Sequence, residues 1–420
     1  MTQSTGHVEQ APTLEPFDPG WPELIADPYP IYARYRTADP VHWGRAANSQ
    51  LAGTWYTFGY QDCSDALADP RLKSDPASVG MADVWPPAFE PIAHVFLEWL
   101  GALDPPKHSR IRGVLAKTFT PRRMREMAPR VEAIAQEMLD AALAGGGEAF
   151  DLVSEYAFPL PMAVIGDMLG VPAADREQFR ELSTHFARAI DKPGDVEIAS
   201  AGSAAAVYML DYFKQLLDIR RETPTDDLIT AMMQASTDDG QVMTESEVLA
   251  TVIELIVAGH ETTVNTVANG TFGMLDQGLW PAMAADPTHI AGPALEELLR
   301  WVSPVQRQRQ RWVTEPMELG GKQFSHGDSV VVVLGAANHD PERFPDPERI
   351  DVDRPQVRHL TFGHGPHMCL GAALARMEVG IGLRTLLTKA PDLALAAPVQ
   401  WRENSFLPGP TRLLVQRDSS

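Results

Sequence analysis

Phe362-Gly363-His364-Gly365-Pro366-His367-Met368-Cys369-Leu370-Gly371 is the stretch whose reading decides the fold of this 420-residue chain. A cysteine taken alone is usually a small buried hydrophobe. This one is flanked by Gly363, Gly365 and Gly371, spaced so that a backbone can turn tightly beneath a flat macrocycle and aim spare amide N–H groups at a sulfur. The apolar run from Leu370 to Ala375 reads as a helix opening just after Cys369, whose positive end favours thiolate over thiol. His364, His367 and Cys369 could instead ligate zinc. Zinc sites, however, gather ligands from two separated pairs, and no partner pair is visible in the sequence.

Working outward, Thr244-Glu245-Ser246-Glu247 spells a capping box, and the helical pattern behind it runs to about Asp276, roughly 50 Å at 1.5 Å per residue. Inside it stands Ala258-Gly259-His260-Glu261-Thr262-Thr263. Glycine in a helix interior is unfavourable by about 1 kcal/mol relative to alanine. The small pair Ala258-Gly259 opens room beside the axis for a diatomic ligand, and the Thr262 hydroxyl can bond a carbonyl one turn back. Small residues alone would mean only close helix packing. Beside the cysteine loop, an alcohol next to a carboxylate, Thr262 and Glu261, is the pair expected to deliver protons. Glu254, Ala258 and Thr262 recur at intervals of four and share one helical stripe. Glu254 is therefore expected to anchor a donor or amine on a substrate, or else to meet a buried partner or water.

Together these residues resemble the cytochrome P450 family of haem-thiolate monooxygenases, soluble bacterial type, over nearly the whole chain. The resemblance implies a mainly α fold with a smaller β region, and haem b lying between the long central helix and the cysteine-ligand loop. It makes Cys369 the iron ligand and puts Ala258, Gly259, Phe362 and Gly363 against the cofactor. His108, Arg112, Arg311 and His359 match propionate-binding positions, and Glu297-Leu298-Leu299-Arg300 with Arg349 matches a buried ion network. Arg307, Arg309 and Arg311 alternate with strand period on one side, leaving open which holds a propionate and which faces substrate. Trp85, Phe89, Phe96, Val257, Val305 and Phe406 correspond to the substrate cavity of the family.

The implied reaction hydroxylates, or otherwise oxidises, a medium-sized and largely hydrophobic small molecule with O2 and two electrons. The electrons come from a separate ferredoxin or flavodoxin with an NAD(P)H-dependent reductase. A peroxide-driven hydroxylase and a non-enzymatic haem sensor or carrier are the alternatives. Eight basic residues between Lys107 and Arg130 face one acid, Glu126, and read as a docking patch for an acidic electron donor or as a solvated helix face.

Composition bounds the rest. A net charge of −21 argues against nucleic acid or an anionic membrane surface as partner. Only Cys63 and Cys369 are present, so no disulfide framework exists, which fits a cytoplasmic protein. Residues 1–20 are polar and read as a flexible segment ahead of a single domain over 21–420. No apolar run approaches the roughly 20 residues of a membrane span. Residues 75–103 hold Pro86, Pro87 and Pro91 among aromatic side chains and read as a long functional loop. Asp104 reads as the cap of the helix that carries His108 and Arg112.

Overall fold

Helices form most of the architecture, seen in a computed structural model that describes residues 14–46, 51–81, 85–145, 149–236 and 240–417. The principal helices are α1 (Glu90–Leu97), α2 (Lys107–Thr118), α3 (Pro121–Leu143), α4 (Pro159–Leu169), α5 (Arg176–Asp191), α6 (Val196–Glu222), α7 (Glu245–Asp276), α8 (Pro293–Val302) and α9 (Ala372–Lys389). The smaller β region is a five-stranded sheet of β1 (Val41–Gly44), β2 (Thr54–Thr57), β3 (Leu72–Lys73), β4 (Arg311–Val313) and β5 (Ser329–Val332), in the order β1-β2-β5-β4-β3. β2 and β5 run parallel and the other pairs antiparallel.

The 32-residue α7 is the axis of the fold. Its capping box is formed as the sequence predicts: Thr244 Oγ1 accepts from the Glu247 N–H at 3.3 Å, and Glu247 Oε2 accepts from the Thr244 N–H at 2.9 Å. Val252, Ile253, Ile256, Val264 and Val267 are buried in the main core cluster, which also takes in side chains from α3, α4, α8 and α9. Side chains all around a helix that crosses a large core must be mostly apolar or internally bonded, which is what α7 shows.

Three expectations are corrected. Residues 1–13 lie outside the described residues, but within 14–20 Phe17 and Pro19 are buried, so this part is not a free segment. Phe17 bridges to Gly44 and is buried, its ring 5.4 Å from Tyr35, 4.7 Å from Tyr56 and 5.2 Å from Phe58. The segment 75–103 is not one loop. Pro87 opens a short 3-10 turn and Pro91 stands in the first turn of α1, where a missing N–H has no intrahelical partner to lose. Asp104 does not cap α2. Its carboxylate accepts instead from the Ser74 and Asp75 N–H groups at 3.0 and 2.9 Å, tying α2 to the end of β3.

Candidate active site

Cys369 sits in the wall of an internal slot of about 290 Å³ that α7 closes on the opposite side, with Ala258, Gly259 and Thr262 facing it. The loop that presents it is built by local geometry. Gly363 and Gly365 both take φ of 72°, the left-handed region that favours glycine, and a Cβ at Gly365 would lie 2.8 Å from the Leu67 carbonyl. The Cys369 N–H donates to the Phe362 carbonyl at 2.8 Å and the Gly363 N–H to Leu360 at 2.8 Å. Gly371 has an ordinary φ of −82° and serves differently, directing its N–H to the sulfur. Burial pushes the Cys369 thiol up; the Gly371 N–H, Arg112 and Arg376 act against it. Its accessible surface faces the slot that it lines.

Across the slot, Thr262 Oγ1 donates to the Ala258 carbonyl at 2.7 Å, the bond one turn back that the sequence predicts. A Cβ at Gly259 would meet nothing within 4 Å, so the glycine leaves open space beside the axis. Glu261, expected as the companion of Thr262, is on the other side of α7. It is buried, ion-paired with Arg402, and accepts from Thr184 Oγ1 at 3.0 Å. Burial would raise its carboxyl, but Arg402 and then His260 outweigh this and hold it below the usual carboxylate range. A helix turns 100° per residue, so neighbours in sequence face different ways.

Beside the slot a group of basic side chains converges, two histidines and three arginines. His108 and His367 stand ring to ring at 4.4 Å, with Arg112, Arg309 and Arg311 close by. Asp104 lies among them, 4.0 Å from His367, and Glu254 and Asp75 also act on Arg309. Both ring nitrogens of His108, Nδ1 of His367 and Nη1 of Arg309 are buried without a hydrogen-bond partner among the described residues. Burial lowers Arg309 and Arg311 to about 10, and it lowers His367 to about 3 with Arg311 and His108 adding to the effect. Unpartnered buried donors cost roughly 1–3 kcal/mol each, so the cluster fits an anionic guest. The two propionates of a haem supply that charge, and Cys369 stands where its iron would need a ligand.

His359 is not part of this cluster, contrary to expectation. Its Nε2 meets Glu296 Oε2 at 3.1 Å, Glu296 is also clasped by Arg376 at 2.6 and 2.8 Å, and the Thr361 N–H donates to Nδ1 at 3.2 Å, so the ring has no free nitrogen. His367, rather than His359, stands in the cluster beside His108. Its signal was in the opening loop, where it stands two residues before Cys369. Phe362 lines the slot with the Arg376 guanidinium 4.3 Å from its ring.

The predicted ion network forms with one substitution of partner. Arg300 meets Glu297 at 2.7 Å through both Nε and Nη2, and both residues are fully buried. The third side chain is Arg354, 3.0 Å from Glu297, whereas Arg349 is exposed and offers only its carbonyl, 3.3 Å from Arg300 Nη2. The meander carries both arginines, and which one turns inward is set by tertiary packing.

Two cavities share the expected substrate residues. Glu254 and Val305 line the slot, while Trp85, Phe96 and Phe406 line a second cavity of about 550 Å³ that also holds Arg307 and Arg309. Gln308 lines both. Phe89 and Val257 line neither and pack in the core. Glu254 is not free to anchor a substrate amine, since its oxygens accept from the Leu100 and Gly101 N–H groups at 2.8 and 3.2 Å. Arg307 is committed to Ser405, at 3.2 Å to its carbonyl and 3.0 Å to Oγ. The basic stretch is largely neutralised: Lys107 pairs with Glu98, Arg110 with Glu247, Arg122 with Glu126, Arg123 with Asp226 and Arg130 with Asp167. Arg112 turns inward to the Met368 carbonyl at 2.7 Å.

A cysteine on a glycine loop, a helix with an open glycine opposite it and a cationic pocket at the edge define a haem-thiolate protein. The sequence matches the family model for cytochrome P450 over residues 100–277 and 292–389. It is 39% identical over 398 residues to the cytochrome P450 monooxygenase PikC of Streptomyces venezuelae, covering 92% of this chain and 90% of that one. Among solved structures, PksS, the cytochrome P450 of the bacillaene polyketide synthase of Bacillus subtilis 168, superposes with a TM-score of 0.86 at 32% identity, covering 96% of this chain and all of that one. A myxobacterial cytochrome P450 in complex with myristic acid superposes with a TM-score of 0.85 at 34% identity, covering 96% and 99%. The chain belongs to the cytochrome P450 family and is a monooxygenase of that family that uses a haem-iron cofactor. No helix among the described residues is long and apolar enough to cross a membrane.

Proposed function

We propose that this enzyme binds haem b through Cys369 and inserts one oxygen atom of O2 into a C–H bond of a medium-sized, largely hydrophobic molecule of the polyketide or fatty-acid kind. The other oxygen atom leaves as water, with two electrons and two protons consumed. The observation that carries this reading is the opposition of Cys369 to the open groove at Ala258–Gly259 across one slot whose edge holds unpartnered cations. The named relatives support the substrate class: one belongs to a polyketide synthase and one was solved with myristic acid.

When bound, a thiolate-ligated haem supplies oxygen activation. The chain's own residues supply placement and protons. His108, Arg112, Arg309, Arg311 and His367 are the residues that would hold the propionates. Thr262 presents a hydroxyl in the groove, now donating to Ala258, and by rotating can offer its proton to the opposite wall. Glu261, one residue earlier, is tied to Arg402 and Thr184 on the other side of α7, and it could pass a proton toward Thr262 only on release from that pairing. The aromatic wall of Trp85, Phe96 and Phe406 suits an apolar substrate body.

Electrons are proposed to come from a ferredoxin or flavodoxin with an NAD(P)H-dependent reductase. Met368, exposed beside Cys369, marks the surface nearest the ligand loop. Because the basic residues of α2 and α3 are mostly paired, reduction should depend only weakly on salt. The deciding experiment compares product formed with ferredoxin, reductase and NAD(P)H against product formed with peroxide alone. The proposal expects turnover on the first arm, with Thr262→Ala diverting electrons into peroxide. Equal product on peroxide alone, or unchanged coupling in Thr262→Ala, contradicts it.

A further inference from the structure

We propose that Glu254 is a positioning residue that seats the turn Leu100–Ala102 as a roof over the haem slot, so that α7 itself sets the height of that roof above the groove at Ala258–Gly259. The proposal rests on the haem-thiolate reading above and concerns how that site is roofed. The carboxylate accepts from two consecutive backbone amides, Leu100 at 2.8 Å and Gly101 at 3.2 Å, across more than 150 residues of sequence. Glu254, Leu100 and Gly101 all line the slot, and so do Ala258 and Thr262, one and two helical turns further along α7.

The rest of the roof is fixed to other parts of the molecule. Trp99 stacks on Phe186 of α5 with centroids 5.3 Å apart, Arg309 lies 4.0 Å over Phe96, and Ser203 Oγ of α6 donates to the Ala88 carbonyl at 2.6 Å. These contacts hold the outer side of the segment. The Glu254 contact ties its inner edge to the helix that carries the groove. Charged acceptors bonded to backbone N–H are among the stronger hydrogen bonds. No cation lies in ion-pair range of this carboxylate among the described residues, and the two amides are its hydrogen-bond partners there. A ligand between roof and groove is then confined from above by Leu100. A diatomic ligand held within the groove would not reach Leu100, whereas a bulky one would.

The test uses the full-length, haem-loaded enzyme and the variants Glu254→Leu and Glu254→Gln. The absorption of the reduced CO complex is recorded first; a missing thiolate band in the unmodified enzyme overturns the haem-thiolate reading and is separate from the roof. Hydrogen exchange at the Leu100 and Gly101 amides is measured next, with dissociation of 4-phenylimidazole, a bulky iron ligand, and rebinding of CO after photolysis. Glu254→Leu should lose about tenfold in amide protection and release 4-phenylimidazole about tenfold faster. Glu254→Gln should fall between, because its amide oxygen still accepts one N–H. CO rebinding should not change. Wild-type protection and release rates in either variant overturn the proposal, and so does an equal change for both ligands, which would mark a general loosening. If Glu254→Leu fails to retain haem, the Glu254→Gln measurements decide alone.

Discussion

Two buried groups of charged side chains lie within this fold, and they differ in one respect. Around Glu297, every charge is answered: Arg300 and Arg354 share its carboxylate, and the remaining guanidinium donors reach the carbonyls of Asn338, Pro345 and Arg349. Around His108, four buried polar atoms have no hydrogen-bond partner among the described residues. The first group is complete within the chain and holds the meander on α8. The second leaves polar atoms open to a guest from outside the chain, and that difference separates a self-contained structural network from a candidate cofactor site.

The comparison breaks most severely at Glu297. Glu297→Ala leaves two arginines buried without a counter-charge, and the expected loss is about 3–5 kcal/mol of unfolding free energy. Denaturant titration of purified protein checks this; a loss comparable to a surface substitution would contradict it. Next in size is the double variant His108→Ala/Arg311→Ala. It should lose haem to an acceptor protein roughly tenfold to a hundredfold faster, while the haem-free protein keeps its stability, since the residues removed have little in the chain to bind. Loss of stability without loss of haem affinity would reverse the assignment of the two groups.

The smallest expected effect concerns two carboxylates that sharpen the same contrast. Glu296, beside Arg376 and His359, is lowered to about 2 although burial opposes it, whereas burial raises Glu254 to about 7 against its two amide bonds. The signs are opposite. Glu296 contributes stability that is present above its ordinary value of 4.5 and lost as pH falls through about 2. Glu254 favours the folded state below 4.5, and that contribution is lost as pH rises through about 7. Melting temperatures of Glu254→Gln should therefore gain on the wild type between pH 5 and about pH 8, and a constant gap would contradict the assignment.

How much of this was legible in the sequence follows from the range of the interactions concerned. The cysteine loop and α7 depend on local rules: left-handed φ at Gly363 and Gly365, a capping box at Thr244, a period that puts Glu254, Ala258 and Thr262 on one stripe. Those features were found at the right residues. His367 against His359, and Arg354 against Arg349, are choices between residues of the same type a few positions apart, and tertiary contacts make them. Arg402 reaches Glu261 from 141 residues away, with no pattern to announce it. Phe89 and Val257 were placed in the substrate cavity by correspondence alone, and their neighbours turn them into the core.

The central claim is that the sulfur of Cys369 binds the iron of a haem in the slot beneath α7. The most direct measurement is the absorption spectrum of the reduced enzyme under carbon monoxide, taken for the wild type and for Cys369→Ser. The wild type should show the strongly red-shifted Soret band of thiolate ligation, and the variant should lose it. A folded, haem-loaded wild type without that band, or a variant that keeps it, would contradict the account.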